Sequence, residues 1–107
     1  MEQRRTRRFT LKLPVSVVRS GVEQTILAGH TRNISSTGVL FSTEEEPTVT
    51  GSIEYVISLN QGQKQPVNLR CLGKVVRLER AENGHREGAH TFHVAATLER
   101  YEFVRAR

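Results

Sequence analysis

Aspartate is absent from the 107 residues, and all 11 acidic side chains are glutamate. Catalytic arrangements that depend on Asp are thereby excluded. Tryptophan is missing as well, and phenylalanine and tyrosine together supply 6% of the chain, few for the base-stacking platforms that single-stranded nucleic acid requires. A lone cysteine, Cys71, permits no internal disulfide. This agrees with a reducing compartment, and a cytoplasmic location is the expectation. No apolar run is long enough to span a membrane, and the Arg-rich N-terminus lacks the apolar stretch of a secretory signal, so no membrane insertion is expected. Nor does any internal repeat or low-complexity segment appear.

What is present is basic. The net charge is +5 and the pI near 10.1, which favours an anionic partner without choosing among nucleotide, nucleic acid and acidic protein surface. Lys12, Lys64 and Lys74 are the only lysines, so the positive charge is carried mainly by arginine. Arginine forks onto phosphate and stacks on planar bases, which leans the reading toward phosphate or base recognition.

The chain length allows one domain with one modest core. Residues 1–8, MEQRRTRR, have no large apolar side chain to offset the entropy of ordering, and read as an arm that is mobile without ligand. Residues 9–107 read as one all-β domain. From Phe9, Leu11, Leu13, Val15 and Val17 alternate with polar positions or Pro14, as in a strand with one buried face. Because Pro14 cannot donate to a ladder, this strand is expected at an edge or with a bulge there. A second strand is expected over residues 24–32, a tight loop over 33–38, and a resumed strand at Val39, Leu40 and Phe41. Glu44, Glu45, Glu46 and Pro47 suggest a solvated connection. Ile53, Tyr55, Ile57 and Leu59 alternate cleanly, NQGQKQP supplies a loop, and extended runs over 67–79 and 90–98 flank a loop over 80–88. The total is about six strands, with no helical pattern between them. A small antiparallel barrel follows, its tail after Leu98 either a short helix or an extension of a strand.

Two groups of residues carry possible chemistry. The first is the basic run Arg4, Arg5, Arg7, Arg8; the second is the loop Asn33-Ile34-Ser35-Ser36-Thr37-Gly38. Alone, the first reads as a solvated tail and the second as an ordinary turn. His90 and His93 point to opposite faces of a strand, which does not suit a shared metal. Cys71 reads as a packed small side chain and Gly73 as a packing requirement. Neither an acid/base pair nor a phosphate-cradling Gly-rich loop is visible, so no enzyme, no metal and no cofactor is expected.

Taken together, the two groups resemble the PilZ domain family, in which an RxxxR motif on a leading arm is followed, two strands later, by a [D/N]xSxxG motif on a barrel. Arg4 and Arg8 match the first motif, and Asn33, Ser35 and Gly38 the second. The resemblance continues through Val39-Leu40-Phe41, Gly73-Lys74-Val75-Val76-Arg77 and the strand around Val94. It implies a six-stranded barrel that binds cyclic di-GMP and relays the binding event to a downstream protein partner. Arg4, Arg5, Arg8, Asn33, Ser35 and Gly38 are the implied ligand contacts. An Arg fork matches guanine O6 and N7, Asn33 can donate and accept at a base edge, Ser35 can bond base or phosphate, and Gly38 permits an approach or backbone conformation that a Cβ would obstruct. The family often has Asp where Asn33 stands, so a charge-assisted bond is absent here. The competing readings are a basic barrel that binds nucleic acid and a degenerate PilZ-like barrel that binds only protein.

Overall fold

The structure, a computed structural model, describes residues 9–21, 23–47, 51–59, 66–82 and 90–105. Among these residues seven strands form in chain order: β1 Pro14–Ser20, β2 Glu23–Ile34, β3 Gly38–Thr43, β4 Ser52–Ser58, β5 Val67–Glu82, β6 His90–Thr97 and β7 Arg100–Arg105. All pairings are antiparallel. The sheet runs β4-β1-β2-β3-β6-β5 and closes where β4 pairs with β5. Closure removes the unpaired edges that an open sheet of this size would expose. The expected six-stranded barrel is present, and the tail adds β7 as a seventh strand along β5.

Alternation in the sequence becomes inside and outside. Val15, Val17, Leu27, Val39, Phe41, Ile53, Tyr55, Ile57, Leu69, Cys71, Val94 and Ala96 form the core. Full burial of each large side chain contributes about 1.5–3 kcal/mol relative to exposure. Phe41 and Tyr55 meet at 5.8 Å between ring centroids, and the Tyr55 hydroxyl donates to the Thr97 carbonyl at 3.0 Å. Cys71 is fully buried, and burial pushes its thiol up to about 12, so it packs as a neutral side chain.

Several boundaries differ from the sequence reading. Residues 10–13 precede β1 rather than belonging to it, and Leu11 is exposed. Pro14 is neither on an edge strand nor at a bulge: it opens β1 opposite His30, one residue before pairing with β4 begins at Val15, and the bulge falls between Val17 and Arg19. A first position tolerates the missing N–H. β2 runs two residues past the expected end, because a register shift between Thr31 and Asn33 lets Asn33 and Ile34 rejoin the ladder opposite Leu40 and Val39. The loop between β2 and β3 is therefore only Ser35–Thr37, and Asn33 sits on a strand. β5 likewise continues to Glu82.

Gly73 marks the point where β5 changes company. Up to Leu72, β5 lies between β4 and β7; Gly73 and Lys74 keep β4, and from Val75 on β5 pairs with β6. A Cβ here would run into the Thr97 carbonyl, so only glycine allows the approach. Thr97 ties the junction from the other side, its hydroxyl accepting from Lys74 N at 2.8 Å and donating to Glu99 Oε2 at 2.9 Å.

Candidate functional site

Cross-strand partners share a face of the sheet. Asn33 stands opposite Leu40, Leu40 opposite Ala95, and Ala95 opposite Arg77. These four side chains make one outward row over β2, β3, β6 and β5. The row one step inward is Ile34, Val39, Ala96 and Val75, which packs in the barrel. A second register shift, between Val75 and Arg77, turns Val76 outward beside the row with 65% of its surface exposed.

The loop Ser35–Thr37 is built around one hydroxyl. Ser35 Oγ accepts from Gly38 N at 3.2 Å and from Thr37 N at 3.3 Å, while Ser35 N donates to the Gly38 carbonyl at 2.8 Å. With both lone pairs so engaged, the Ser35 O–H remains to be given, and the acceptors in reach, Gly38 O and Thr37 Oγ1, are both 3.3 Å away. The Thr37 carbonyl in turn accepts from Leu98 N at 2.9 Å, fixing the loop to the end of β6. Gly38 has no positive φ; a Cβ there would lie 3.1 Å from the Ala96 carbonyl, so close approach of β6 is the constraint.

Residues 9–13 lead into this place. Phe9 and Ile34 exchange backbone bonds of 2.8 and 2.9 Å, one residue before the Ser35 loop. Thr31 holds the same segment: its hydroxyl accepts from Leu13 N at 2.9 Å and donates to Leu11 O at 2.5 Å, and Thr31 N donates to Leu13 O at 2.8 Å. Arg4, Arg5 and Arg8 lie outside the described residues, as does the whole predicted arm over 1–8. Arg8 directly precedes Phe9 in the chain, however, so the run is tethered where Asn33 and the Ser35 loop meet.

Among the described residues, two concavities adjoin the row. One of about 200 Å³ is lined by Asn33, Ser35, Gly38, Val76, Arg77 and Thr97 among others. The other, about 610 Å³, lies between residues 10–12 and the outer face of β2 and β3, with Lys12, His30, Arg32, Asn33 and Leu40 in its lining. Asn33 and Leu40 belong to both. Among the described residues their linings include Lys12, Arg32 and Arg77 and no carboxylate. Arg77 has Glu79 at 3.9 Å, an exposed and therefore weak pair that leaves the guanidinium available. A third groove, of about 600 Å³ near Ile26, is lined by Glu44 and Glu45 and suits an anion poorly.

Asn33, Ser35 and Gly38 are thus brought together, Leu40 and Ala95 make a flat apolar floor, and Arg77 faces Asn33 across it. The family sequence profile for the PilZ domain matches residues 2–102. The chain belongs to the PilZ domain family. PilZ domains are known as binding domains for cyclic di-GMP. No curated protein matches the chain closely. The PilZ match runs through the basic run, the Asn33–Gly38 segment and all of β1 to β6.

Sequence reasoning gave Arg77, Val76, Leu40 and Ala95 no role in the site. Arg77 joins Asn33 only through the registers of three successive strand pairs. The one local signal is the adjacent Val75-Val76, where alternation breaks just before Arg77. Among the described residues no group of His, Cys and Glu is placed to hold a metal, and no helix is long and apolar enough to cross a membrane.

Proposed function

We propose that this PilZ domain is a cyclic di-GMP receptor in which the arm closes over the outward row Asn33, Leu40, Ala95, Arg77. The observation that carries the reading is the Phe9–Ile34 pairing, which roots the arginine run one residue from the Ser35 loop. From Phe9 back to Arg4 is five residues, at most roughly 18 Å of extended chain, enough to reach across a dinucleotide. The ligand presents two phosphates and two guanines. Arg8 and Arg4 address a guanine O6/N7 edge or a phosphate, with Arg5 as a further contact. Asn33 bonds a base edge, the Ser35 O–H is given to a ligand acceptor in place of its long contacts with Gly38 O and Thr37 Oγ1, and Gly38 lets the loop lie flat on β6. A guanine face rests on Leu40 and Ala95, and Arg77 closes the far side by charge.

Binding orders the arm, changes the surface beside β2, and a cytoplasmic protein partner reads that change; no catalytic step is involved. Fixing about eight arm residues costs about 1–2 kcal/mol each, which brings the expected affinity toward micromolar rather than picomolar. Asn33 in place of a carboxylate acts in the same direction. Isothermal titration with cyclic di-GMP tests the proposal. Saturable heat that disappears in Arg8→Ala while the barrel stays folded is the expected result; no heat, or an unchanged affinity in Arg8→Ala, overturns it.

A further inference from the structure

Among the described strands β7 pairs with β5 alone, and β5 from Val75 onward pairs with β6 alone. The β7 pairing is regular from Val67↔Arg105 to Leu72↔Arg100, without a register shift. Edge strands are usually guarded by proline, a bulge or charged side chains; β7, Arg100-Tyr101-Glu102-Phe103-Val104-Arg105, has no proline and no bulge, and its charges, Arg100, Glu102 and Arg105, are of both signs. Tyr101 and Phe103 are 58% and 66% exposed and touch edge to face at 6.1 Å between centroids. They share a face with Cys71 and Leu69, continuing the core side of β5 past the barrel wall.

The charges of β7 alternate in a way that selects an occupant. Across the outside of β1, β4, β5 and β7 runs a ladder of alternating sign: Arg19 Nε lies 3.8 Å from Glu54 Oε1, Arg70 Nε 2.6 Å from Glu54 Oε2, and Arg70 Nη1 3.9 Å from Glu102 Oε1. The ladder stops at Glu102, on the free edge. An antiparallel second copy of β7, with its two-fold axis at Tyr101, sets Arg100 of the partner subunit opposite Glu102 and Glu102 of the partner subunit opposite Arg100. Both ladders are thereby extended by one cation. On the other face Tyr101 meets its own copy and lies diagonal to Phe103 of the partner subunit. An axis at Glu102 would oppose two carboxylates, and an axis at Phe103 would set Glu102 against Val104; only the Tyr101 axis makes both Arg–Glu pairs.

We propose that β7 is a self-pairing edge, through which two copies of this chain join into one continuous sheet centred on Tyr101. The overlap is short, so the dimer is weak and concentration-dependent. It does not depend on the ligand reading. The test is sedimentation equilibrium of the full chain over roughly micromolar to millimolar concentration, with Arg100→Glu and Glu102→Arg made singly. Both side chains are exposed, and circular dichroism checks that each variant is folded. Each single reversal should raise the dimer dissociation constant by about tenfold or more, since it opposes like charges twice. A one-to-one mixture of the two variants should recover wild-type association, because opposite signs then face each other at both pairs. A chain that stays monomeric at every concentration, a dimer indifferent to either reversal, or a mixture that fails to recover overturns the proposal.

Discussion

Two rows of side chains cross the outside of this barrel, and they differ in how their charge is answered. On β1, β4, β5 and β7, Arg19, Glu54, Arg70 and Glu102 alternate in sign, and Glu54 is held at 2.6 Å by Arg70. On β2, β3, β6 and β5, the row Asn33, Leu40, Ala95, Arg77 has one cation, a flat apolar middle and an amide, with Lys12 and Arg32 beside it and, among the described residues, no carboxylate in either adjoining groove. Both rows use the same strand geometry. A row closed by the 2.6 Å Arg70–Glu54 bond contributes to the surface of the fold, whereas one whose Arg77 has only an exposed glutamate at 3.9 Å keeps binding capacity for an anion.

The largest expected effect comes from the glycine that lies between the two rows. Gly73→Ala places a methyl against the Thr97 carbonyl and should lower stability by about 3 kcal/mol, degrading both rows together. Chemical denaturation measures it, and a change below about 0.5 kcal/mol would mean that β5 and β6 can part without cost. Next is Thr31→Val, which keeps the shape but removes the hydroxyl that joins Leu13 N and Leu11 O. A loss of about 2 kcal/mol is expected, together with weaker cyclic di-GMP binding, because the root of the arm is loosened. Equal affinity in a destabilised Thr31→Val would separate the arm root from the site. Arg77→Ala should weaken the ligand about tenfold, or about 1.4 kcal/mol, without moving the unfolding midpoint. Titration and melting of one preparation give both numbers. The smallest effect belongs to the compensated row: Glu54→Gln should lower the melting temperature by no more than a few degrees and leave ligand affinity alone. If Glu54→Gln reduced affinity as much as Arg77→Ala, the contrast between the rows would collapse.

Most of the barrel was legible because its strands alternate. Ile53, Tyr55 and Ile57 enter the core as their spacing demands, and so do Val15 and Val17. What escaped were the places where alternation breaks. The irregularity at Arg32 carries β2 on to Asn33 and Ile34, and nothing in TRNIS signals it except polar residues that a turn also favours. β7 was open between helix and strand, since RYEFVR fits either period and is decided by its pairing with β5. Asn33, Ser35 and Gly38 were found through motif spacing and do come together. Arg77, 44 positions after Asn33 in the numbering, joins them only because three ladders place it there. The arm itself lies outside the described residues.

The most direct test is to follow the backbone amides of the labelled chain by nuclear magnetic resonance while cyclic di-GMP is added. The shifts should fall on the amides of residues 1–9, 33–40, 76–77 and 95–97, and spare Ile26, Glu44 and Glu45 in the acidic groove and Glu54 and Arg70 in the compensated row. Shifts concentrated at Glu44 and Glu45 or at Arg70, or a spectrum unchanged at saturating ligand, would contradict the account.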